Sequence, residues 1–155
     1  MKKEFYLILP DIRSCHNVGA MFRTADACGV SRLILVGYTA APPRAQIDKV
    51  ALGAEKWIPF EKISSQNLKS FVEDLKSKGF SVLALEKTFY SRKLDEVAYR
   101  APLALIVGNE VDGISEEILQ VCDIVVHIPM YGKKESLNVS VAAGIAMYEI
   151  KKRLS

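Results

Sequence analysis

Short apolar runs that alternate with stretches of helical periodicity constrain this chain more than any other feature of its sequence. The runs are typical of β-strands and lie at residues 5–9, 32–36, 56–60, 80–85, 103–108 and 124–129. Several are apolar almost throughout, as strands must be when both faces of their sheet are covered. Helical candidates fill the gaps at residues 18–28, 67–78, 116–121 and about 136–152. This alternation predicts an α/β fold, an open parallel sheet flanked by helices.

Length and composition predict one globular domain. The 155 residues are enough for a single buried core, and no linker, repeat or low-complexity segment interrupts residues 1–155. Half of the residues are hydrophobic and a quarter are charged, which excludes a disordered chain. The formal net charge of +3 favours an anionic partner only weakly.

The N-terminal run and the cysteines bear on the cellular compartment. Glu4 interrupts the first apolar run and Pro10 ends it, so the run is too short for a signal peptide. No later run approaches the roughly 20 residues of a membrane span. The three cysteines lack CxxC spacing, and neither histidine has a neighbour at metal-ligand spacing. We therefore expect a cytoplasmic protein with no metal site and no membrane segment.

In parallel sheets, ligands bind beyond the carboxyl ends of the strands, so the residues that follow each strand are the most informative. No GxGxxG follows the first strand, and no GxxxxGK[ST] occurs in the chain. An ordinary dinucleotide site and a P-loop are therefore disfavoured.

The first segment of chemical interest is residues 17–29, between the first two strands. Asn17 is placed to cap a helix and Gly29 to end it. Arg23 lies at helical spacing from Ala20 and Ala27, and small neighbours let a nucleic-acid chain approach the guanidinium. The alternative is a capped amphipathic helix with one solvated arginine.

The second segment, residues 103–115, runs from a buried strand through a polar turn into a helix that Ser115 can cap. Gly108 and Gly113 permit backbone conformations that other residues avoid and let a planar ligand touch the main chain. The alternative is a routine strand–turn–helix connection.

The third segment, residues 128–149, contains a basic loop and then a helix that opens with hydroxyl and amide side chains. The body of this helix is apolar on two sides. One side comprises Leu137, Val141, Ile145 and Tyr148, and the other comprises Val139, Ala143, Ala146 and Ile150. Each apolar side of such a helix must pack against another surface. We expect the sheet to cover one side and a second copy of the chain to cover the other.

In this order, the stretches NVGAMFRTA, IVGNEVDGIS and IPMYGKKESLNVSVAAGIAMYE resemble the three motifs of the SpoU/TrmH branch of the SPOUT RNA methyltransferases. The resemblance covers essentially the whole chain. It implies a parallel sheet with a C-terminal deep trefoil knot, S-adenosylmethionine bound in the knot, and a homodimer whose active site borrows residues across the interface. Pattern reasoning alone does not predict the knot, because knots are nearly absent among folds.

The resemblance also implies the site residues. The cofactor-binding positions are Leu85, Glu86, Gly108, Asn109, Glu110, Gly113, Ile128, Met130, Ser136, Leu137 and Asn138. The catalytic positions are Arg23, Asn17, Glu110, Ser136 and Asn138. The implied reaction is in-line attack of a ribose 2′-oxygen on the sulfonium methyl. Because a guanidinium keeps its proton, we expect Arg23 to orient a phosphate and stabilise the oxyanion. Glu110 is then a positioning group or a charge at a helix N-terminus.

Several members of the family carry an additional RNA-binding domain or long terminal helices, and we expect neither in this protein. We therefore expect the core and its dimer mate to hold a structured RNA. Candidate phosphate contacts are Arg13, His16, Arg44, Lys49, Arg92, Lys133 and Lys134, each equally explained as a solvated surface charge. Minimal relatives include tRNA-modifying enzymes, so tRNA is favoured over rRNA. Many members have small residues where this chain has Val111 and Asp112, which leaves the shape of that loop open.

Three alternatives remain. A non-catalytic RNA-binding or assembly module of the same fold is disfavoured because the polar motif positions are occupied. A nucleotide- or NAD-dependent enzyme on a flavodoxin-like sheet lacks its glycine fingerprint. Base methylation occurs in the wider superfamily, although the motifs here are those of the ribose methylators.

Overall fold

The computed structural model describes residues 3–154 and confirms the α/β fold. The strands are β1 (Phe5–Pro10), β2 (Arg32–Val36), β3 (Phe60–Ile63), β4 (Ser81–Leu85), β5 (Arg92–Lys93), β6 (Leu103–Ile106) and β7 (Ile124–His127). The helices are α1 (Cys15–Ala27), α2 (Ala45–Ala51), α3 (Ala54–Trp57), α4 (Leu68–Ser77), α5 (Glu116–Val121) and α6 (Val139–Arg153). Within residues 3–154 the seven strands form one sheet in the order β3-β2-β1-β6-β4-β7-β5. All neighbouring strands are parallel, as predicted.

Helices cover both faces of this sheet. On one face, side chains of α1 and α6 such as Met147 share a core with Leu7 and Leu9 of β1. On the other face, Leu75 of α4 and Ile118 of α5 share a second core with Ile8 of β1. Leu7, Ile8 and Leu9, which point alternately to the two faces, are therefore all buried, which explains why β1 is apolar without alternation.

The predicted strand at residues 56–60 is wrong. Residues Ala54–Trp57 form α3, and the third strand comes later, at Phe60–Ile63. The cause is Pro59, because a residue before proline disfavours the helical conformation and Ile58 accordingly has φ −81° and ψ 121°. The third strand lies at the edge of the sheet against β2, where a continuous apolar run is not needed.

The start of α1 also differs from the prediction. The helix begins at Cys15, and Ser14 is its cap, with the Ser14 Oγ accepting a hydrogen bond from the Asn17 backbone N–H at 3.1 Å. Asn17 therefore lies in the first turn and its side chain is free for other contacts. At the other end, Gly29 has φ +70°, the left-handed conformation expected just beyond a helix C-terminus.

The last helix begins at Val139, three residues later than predicted. Asn138 caps it, because its Oδ1 accepts a hydrogen bond from the Ser140 backbone N–H at 2.8 Å. Ser136 and Leu137 consequently lie in the preceding loop. The two-sided character of the helix is confirmed: Ala143, Ala146 and Ile150 are buried, whereas Leu137, Val141, Ile145 and Tyr148 are 38–63% exposed.

The other predicted elements agree closely with the structure. Residues 116–121 form α5 as predicted, and Ser115 caps it by accepting a hydrogen bond from the Ile118 backbone N–H. Helix α2 and the two-residue β5 were not predicted.

No helix within residues 3–154 is both long and apolar enough to cross a membrane. The same residues contain no cluster of three or more His, Cys, Asp or Glu side chains that could hold a metal ion.

Candidate active site

The loops that follow three neighbouring strands, β6, β4 and β7, meet around two adjoining cavities. The larger cavity, about 370 Å³, lies between the loops after β4 and β6 and the residues that lead into α6. The smaller one, about 200 Å³, lies between the loops after β4 and β7. All eleven residues expected to bind the cofactor line one or both cavities, and Leu85, Glu86, Ser136 and Leu137 line both. Residues from separate motifs are thus brought to one place.

The loop after β6 is a tight turn held by its own backbone. Asn109 and Gly113 exchange backbone hydrogen bonds of 3.3 and 3.0 Å, and Gly113 has φ +68°. The Oδ1 atom of Asn109 accepts hydrogen bonds from the backbone N–H groups of Val111 and Asp112 at 2.8 and 3.0 Å. A Cβ on Gly108 would lie 3.0 Å from the Gly113 Cα, so glycine at position 108 allows the two ends of the turn to approach each other closely. The structure thus shows the shape of this loop, which the sequence at Val111 and Asp112 did not predict.

Glu86 joins the loop after β4 to the loop after β6. Its Oε2 accepts a hydrogen bond from the Ile114 backbone N–H at 3.0 Å. A Cβ on Gly113 would lie only 2.6 Å from the same oxygen. The carboxylate of Glu86 therefore connects the two loops, and the positive φ of residue 113 favours glycine there.

A polar network joins the three motifs through Asn17, which is only 7% exposed. The Nδ2 of Asn17 donates a hydrogen bond to the Glu110 Oε1 at 3.2 Å, and its Oδ1 accepts one from the Asn138 Nδ2 at 3.4 Å. These contacts join residues 93 and 121 positions apart in the chain. The start of α1, the β6 loop and the start of α6 are thereby held together.

Glu110 is bound at the N-terminus of α1. Its carboxylate accepts hydrogen bonds from the backbone N–H groups of Arg13 at 3.2 Å and Ser14 at 3.4 Å, besides the one from Asn17. Burial acts to raise the pKa of Glu110, but these hydrogen bonds and one from its own backbone outweigh it and lower the pKa. The group is therefore an ionised anchor between the β6 loop and α1.

Arg23 stands apart from the other expected catalytic residues. Asn17, Glu110 and Asn138 form the network, and Ser136 lines both cavities. Arg23 is exposed on α1 and lines neither cavity. Its guanidinium makes no hydrogen bond or salt bridge with the residues that the structure describes. It lies six residues beyond Asn17, about 9 Å along the helix axis.

The seven expected RNA contacts are all exposed. The Nε of Arg13 donates a hydrogen bond to the Tyr38 hydroxyl at 3.4 Å, close to the network, which raises the pKa of Arg13. Arg44 lies near the start of α1, with Nη1 3.5 Å from the Cys15 Sγ. His16 is on α1 and Lys49 on α2, whereas Lys133 and Lys134 lie between β7 and α6. Arg92 lies on β5, at the far edge of the sheet.

Two residues near the site were missed in the sequence. The Tyr38 hydroxyl also accepts a hydrogen bond from the Asn109 Nδ2 at 3.3 Å and so connects Arg13 to the β6 loop. His127 lines the smaller cavity, with its Nδ1 2.8 Å from the Ser91 Oγ. Both lie at the carboxyl end of a strand, a position that could have marked them.

The family model described as the SpoU rRNA Methylase family matches residues 4–148. The tRNA (guanosine(18)-2'-O)-methyltransferase of Aquifex aeolicus is 37% identical over 153 residues, which are 98% of this chain and 71% of that protein. The chain spans only 59% and 60% of the length of two other curated relatives. These similarities confirm the resemblance seen in the three motifs.

Solved structures of relatives have the same fold. An AdoMet-bound rRNA methyltransferase from Sinorhizobium meliloti matches 97% of this chain and 57% of its own, with a TM-score of 0.89 and 29% identity. A structure concerned with the 2-OH methylation of C/U34 on tRNA matches 97% of this chain and 96% of its own, with a TM-score of 0.81 and 26% identity. The expected knot fold is confirmed by these matches, and the chain belongs to the SpoU methylase family.

Proposed function

We propose that the chain is an S-adenosylmethionine-dependent RNA methyltransferase that places the methyl group on a ribose 2′-hydroxyl. The observation that carries this proposal is the meeting of the eleven expected cofactor-binding residues around two adjoining cavities. The AdoMet-bound relative and the 2'-O-methyltransferase of Aquifex aeolicus support the cofactor and the reaction. When bound, the cofactor supplies an electrophilic methyl group on a sulfonium.

The walls of the cavities suit an adenosyl group. Leu85, Leu137 and Ala142 line both cavities and offer apolar surface to a planar base. The β6 loop and the segment around Ile128 bring backbone groups to the same space, and Ser136 adds a hydroxyl. A mostly apolar pocket with a few convergent polar groups is typical of small-molecule sites.

The chain's own polar groups have distinct roles in this proposal. The carboxylate of Glu110 already accepts hydrogen bonds from three neighbours, so it is a positioning group and not the base. Asn17 and Asn138 hold the two loops that flank the larger cavity. Arg23 is free to contact the phosphate beside the target ribose and to stabilise the developing oxyanion.

Arg23 acts, in our proposal, on the cofactor site of a second copy of the chain. On one face, Leu137 in the loop before α6 and Val141, Ile145 and Tyr148 on α6 expose apolar side chains, and such a patch is typical of a protein interface. Helix α1 packs beside α6, so a dimer through this face brings the partner's α1 near the cavities. A homodimer would supply the guanidinium that each cavity lacks.

Methyl transfer from labelled S-adenosylmethionine to RNA tests the activity. We expect the wild type to transfer label and Arg23→Ala to be slower by about 100- to 1,000-fold, the usual cost of removing an oxyanion donor. Calorimetry should show that Arg23→Ala binds S-adenosylhomocysteine as the wild type does. Cofactor binding without transfer to any RNA would identify the protein as a non-catalytic module of the same fold.

We further propose tRNA as the substrate, in preference to rRNA. The structure that matches this chain over 96% of its own length concerns tRNA, whereas the rRNA methyltransferase from Sinorhizobium meliloti is matched over only 57%. Unmodified tRNA and ribosomal RNA should be offered in competition, and the labelled product digested to nucleosides. We expect 2′-O-methylated nucleosides from tRNA; label in rRNA or on a base would contradict the assignment.

A further inference from the structure

An aromatic pair on the loop after β4 has no packing role within the chain. Phe89 is 100% exposed and Tyr90 is 44% exposed. Their rings contact each other edge to face, with centroids 5.1 Å apart and planes at 86°. Phenylalanine is among the residues most often buried, so a fully exposed one indicates a surface that contacts something else.

The pair sits on an ordered turn, Thr88–Ser91, which we name the aromatic turn. The Ser91 Oγ accepts a hydrogen bond from the Thr88 backbone N–H at 3.0 Å and donates one to the Thr88 carbonyl at 2.8 Å. The same Oγ is 2.8 Å from the His127 Nδ1, which anchors the turn to β7. The rings are therefore presented from a fixed position, and little conformational entropy is lost when a ligand contacts them.

The segment that carries the aromatic turn is basic. Residues 87–93, KTFYSRK, contain three cations and no acidic residue. Lys87, Arg92 and Lys93 are all exposed. The Nζ of Lys93 lies 3.8 Å from the Oε1 of Glu96. Exposed aromatic rings between cations are the arrangement that binds single-stranded nucleic acid, because bases stack on the rings and phosphates pair with the cations.

The aromatic turn also lies beside the proposed active site. Leu85 and Glu86, just before it, line both cavities, and Lys87 lines the smaller one. Phe89 is four residues from Leu85, at most about 14 Å away along an extended chain. A cavity of about 410 Å³ opens next to Tyr90, and Arg92, Gln120, Glu116 and Asp123 are among the residues that line it. A base beside the methylated nucleotide would reach this position.

We propose that Phe89 and Tyr90 form a stacking platform for an unpaired RNA base that flanks the target nucleotide. This inference rests on the proposed function and identifies a contact that the basic residues alone do not provide. The platform recognises the face of a base, so it tolerates different sequences. Arg92, on the strand that follows, holds the neighbouring phosphate.

Four variants test the platform by fluorescence anisotropy with a labelled 12-nucleotide oligouridine and with unfractionated tRNA. Phe89→Ala should weaken binding by about 5- to 150-fold, the usual effect of losing one stacked base. Phe89→Trp should retain affinity, and Phe89→Leu, which is apolar but cannot stack, should behave like the alanine variant. Arg92→Gln should reduce the dependence of affinity on salt, whereas Phe89→Ala should leave that slope unchanged.

Other outcomes would overturn the platform. Unchanged affinity in Phe89→Ala, wild-type affinity in Phe89→Leu, or no binding of either RNA by the wild type would do so. A smaller mass of Phe89→Ala in sedimentation would identify the rings as a subunit contact instead. Calorimetry with S-adenosylhomocysteine separates this inference from the proposed function, because we expect Phe89→Ala to bind that ligand normally. A wild type that binds RNA but not S-adenosylhomocysteine would refute the proposed function and leave the platform standing.

Discussion

At the scale of single residues, Glu110 shows how one carboxylate can join two distant segments of the chain. It joins the β6 loop to the first turn of α1 through backbone N–H groups of Arg13 and Ser14. Its position among the cofactor and catalytic residues could be predicted from the motif. Its partners could not, because the sequence does not show that Ser14, and not Asn17, caps α1.

Replacing Glu110 by glutamine should destabilise the fold at neutral pH but not in acid. The folded state lowers the pKa of Glu110, so its contribution is present above the ordinary carboxylate pKa and is lost as the pH falls through the lowered value. We expect a loss of about 0.5–1 kcal/mol near pH 7, the usual value for an anion at a helix N-terminus. Urea unfolding at several pH values measures it.

The matched control is Glu73→Gln. Glu73 is exposed in the middle of α4, away from the helix N-terminus, and its carboxylate forms no salt bridge with any residue that the structure describes. The control should follow the wild type at every pH. A Glu110→Gln deficit that persists below the carboxylate range would show that the charge is not the cause.

Gly113→Ala should damage the cofactor site more than the fold. The residue has φ +68°, which strains any residue other than glycine, and the added Cβ would lie 2.6 Å from the Glu86 Oε2 and displace the carboxylate that holds the β6 loop. We expect the affinity for S-adenosylhomocysteine to fall by about 10- to 100-fold, as small misplacements in such sites do. Calorimetry measures the change.

Gly79→Ala separates backbone strain from displacement of the loop. Gly79 has φ +92°, but nothing lies within 4 Å of a Cβ at this position, so the variant is strained without touching the cavities. It should lose stability and keep its affinity for S-adenosylhomocysteine. Equal loss of affinity in both variants would mean that the effect of Gly113→Ala is one of general strain.

At the scale of elements, the packing of α1 against α2 depends on a glycine inside a helix. A Cβ on Gly19 would lie 2.7 Å from the Ile47 carbonyl oxygen and 3.0 Å from the Val50 Cβ. Alanine is intrinsically better than glycine in a helix by about 1 kcal/mol, but the clash with the backbone of α2 should reverse the sign. We expect Gly19→Ala to lower the free energy of unfolding by about 1–3 kcal/mol.

Gly144→Ala is the comparison for that measurement. It also lies inside a helix, but its Cβ would meet only the Thr24 Cγ2 at 3.2 Å, a side-chain atom that can give way. Its effect in the same urea series should be smaller than that of Gly19→Ala. A Gly19→Ala protein as stable as the wild type would refute the close α1–α2 packing.

The elements that the sequence predicted well are those with strong local signals. Strands β1, β2, β4, β6 and β7 are apolar because both of their faces are covered. Helix α2 was missed because it has only seven residues, buries only Ile47 and Ala51, and starts at Arg44 without a capping side chain. Strand β5 has two residues, too few to show a pattern of alternating hydrophobicity. Strand β3 begins after Pro59, later than the predicted strand at residues 56–60.

At the scale of the whole molecule, the knot fold could be predicted only from the resemblance to the family, because pattern reasoning does not lead to a knot. The sequence predicted that α6 is apolar on two sides and that the sheet of its own chain covers one of them. The structure shows that the other side is exposed. The exposed aromatic pair at Phe89 and Tyr90 could not be recognised, because the sequence does not show which apolar side chains lack a cover.

Mixing two inactive variants tests whether Arg23 serves the partner's site. Arg23→Ala keeps its cofactor cavity, and Gly113→Val keeps its arginine. If the guanidinium acts across the interface, mixed dimers contain one complete site and should recover methyl transfer, up to about half of the wild-type rate per mixed dimer. Each variant alone should stay inactive. An inactive mixture, with exchange of subunits verified, would place Arg23 within its own chain's site.

Calorimetric titration of the purified protein with S-adenosylhomocysteine tests the central claim, that the loops after β4, β6 and β7 form a cofactor site. We predict saturable binding of one ligand per chain, weakened in Gly113→Ala and unchanged in Gly79→Ala. If neither S-adenosylhomocysteine nor S-adenosylmethionine gives a binding signal with the folded wild-type protein, the claim is contradicted.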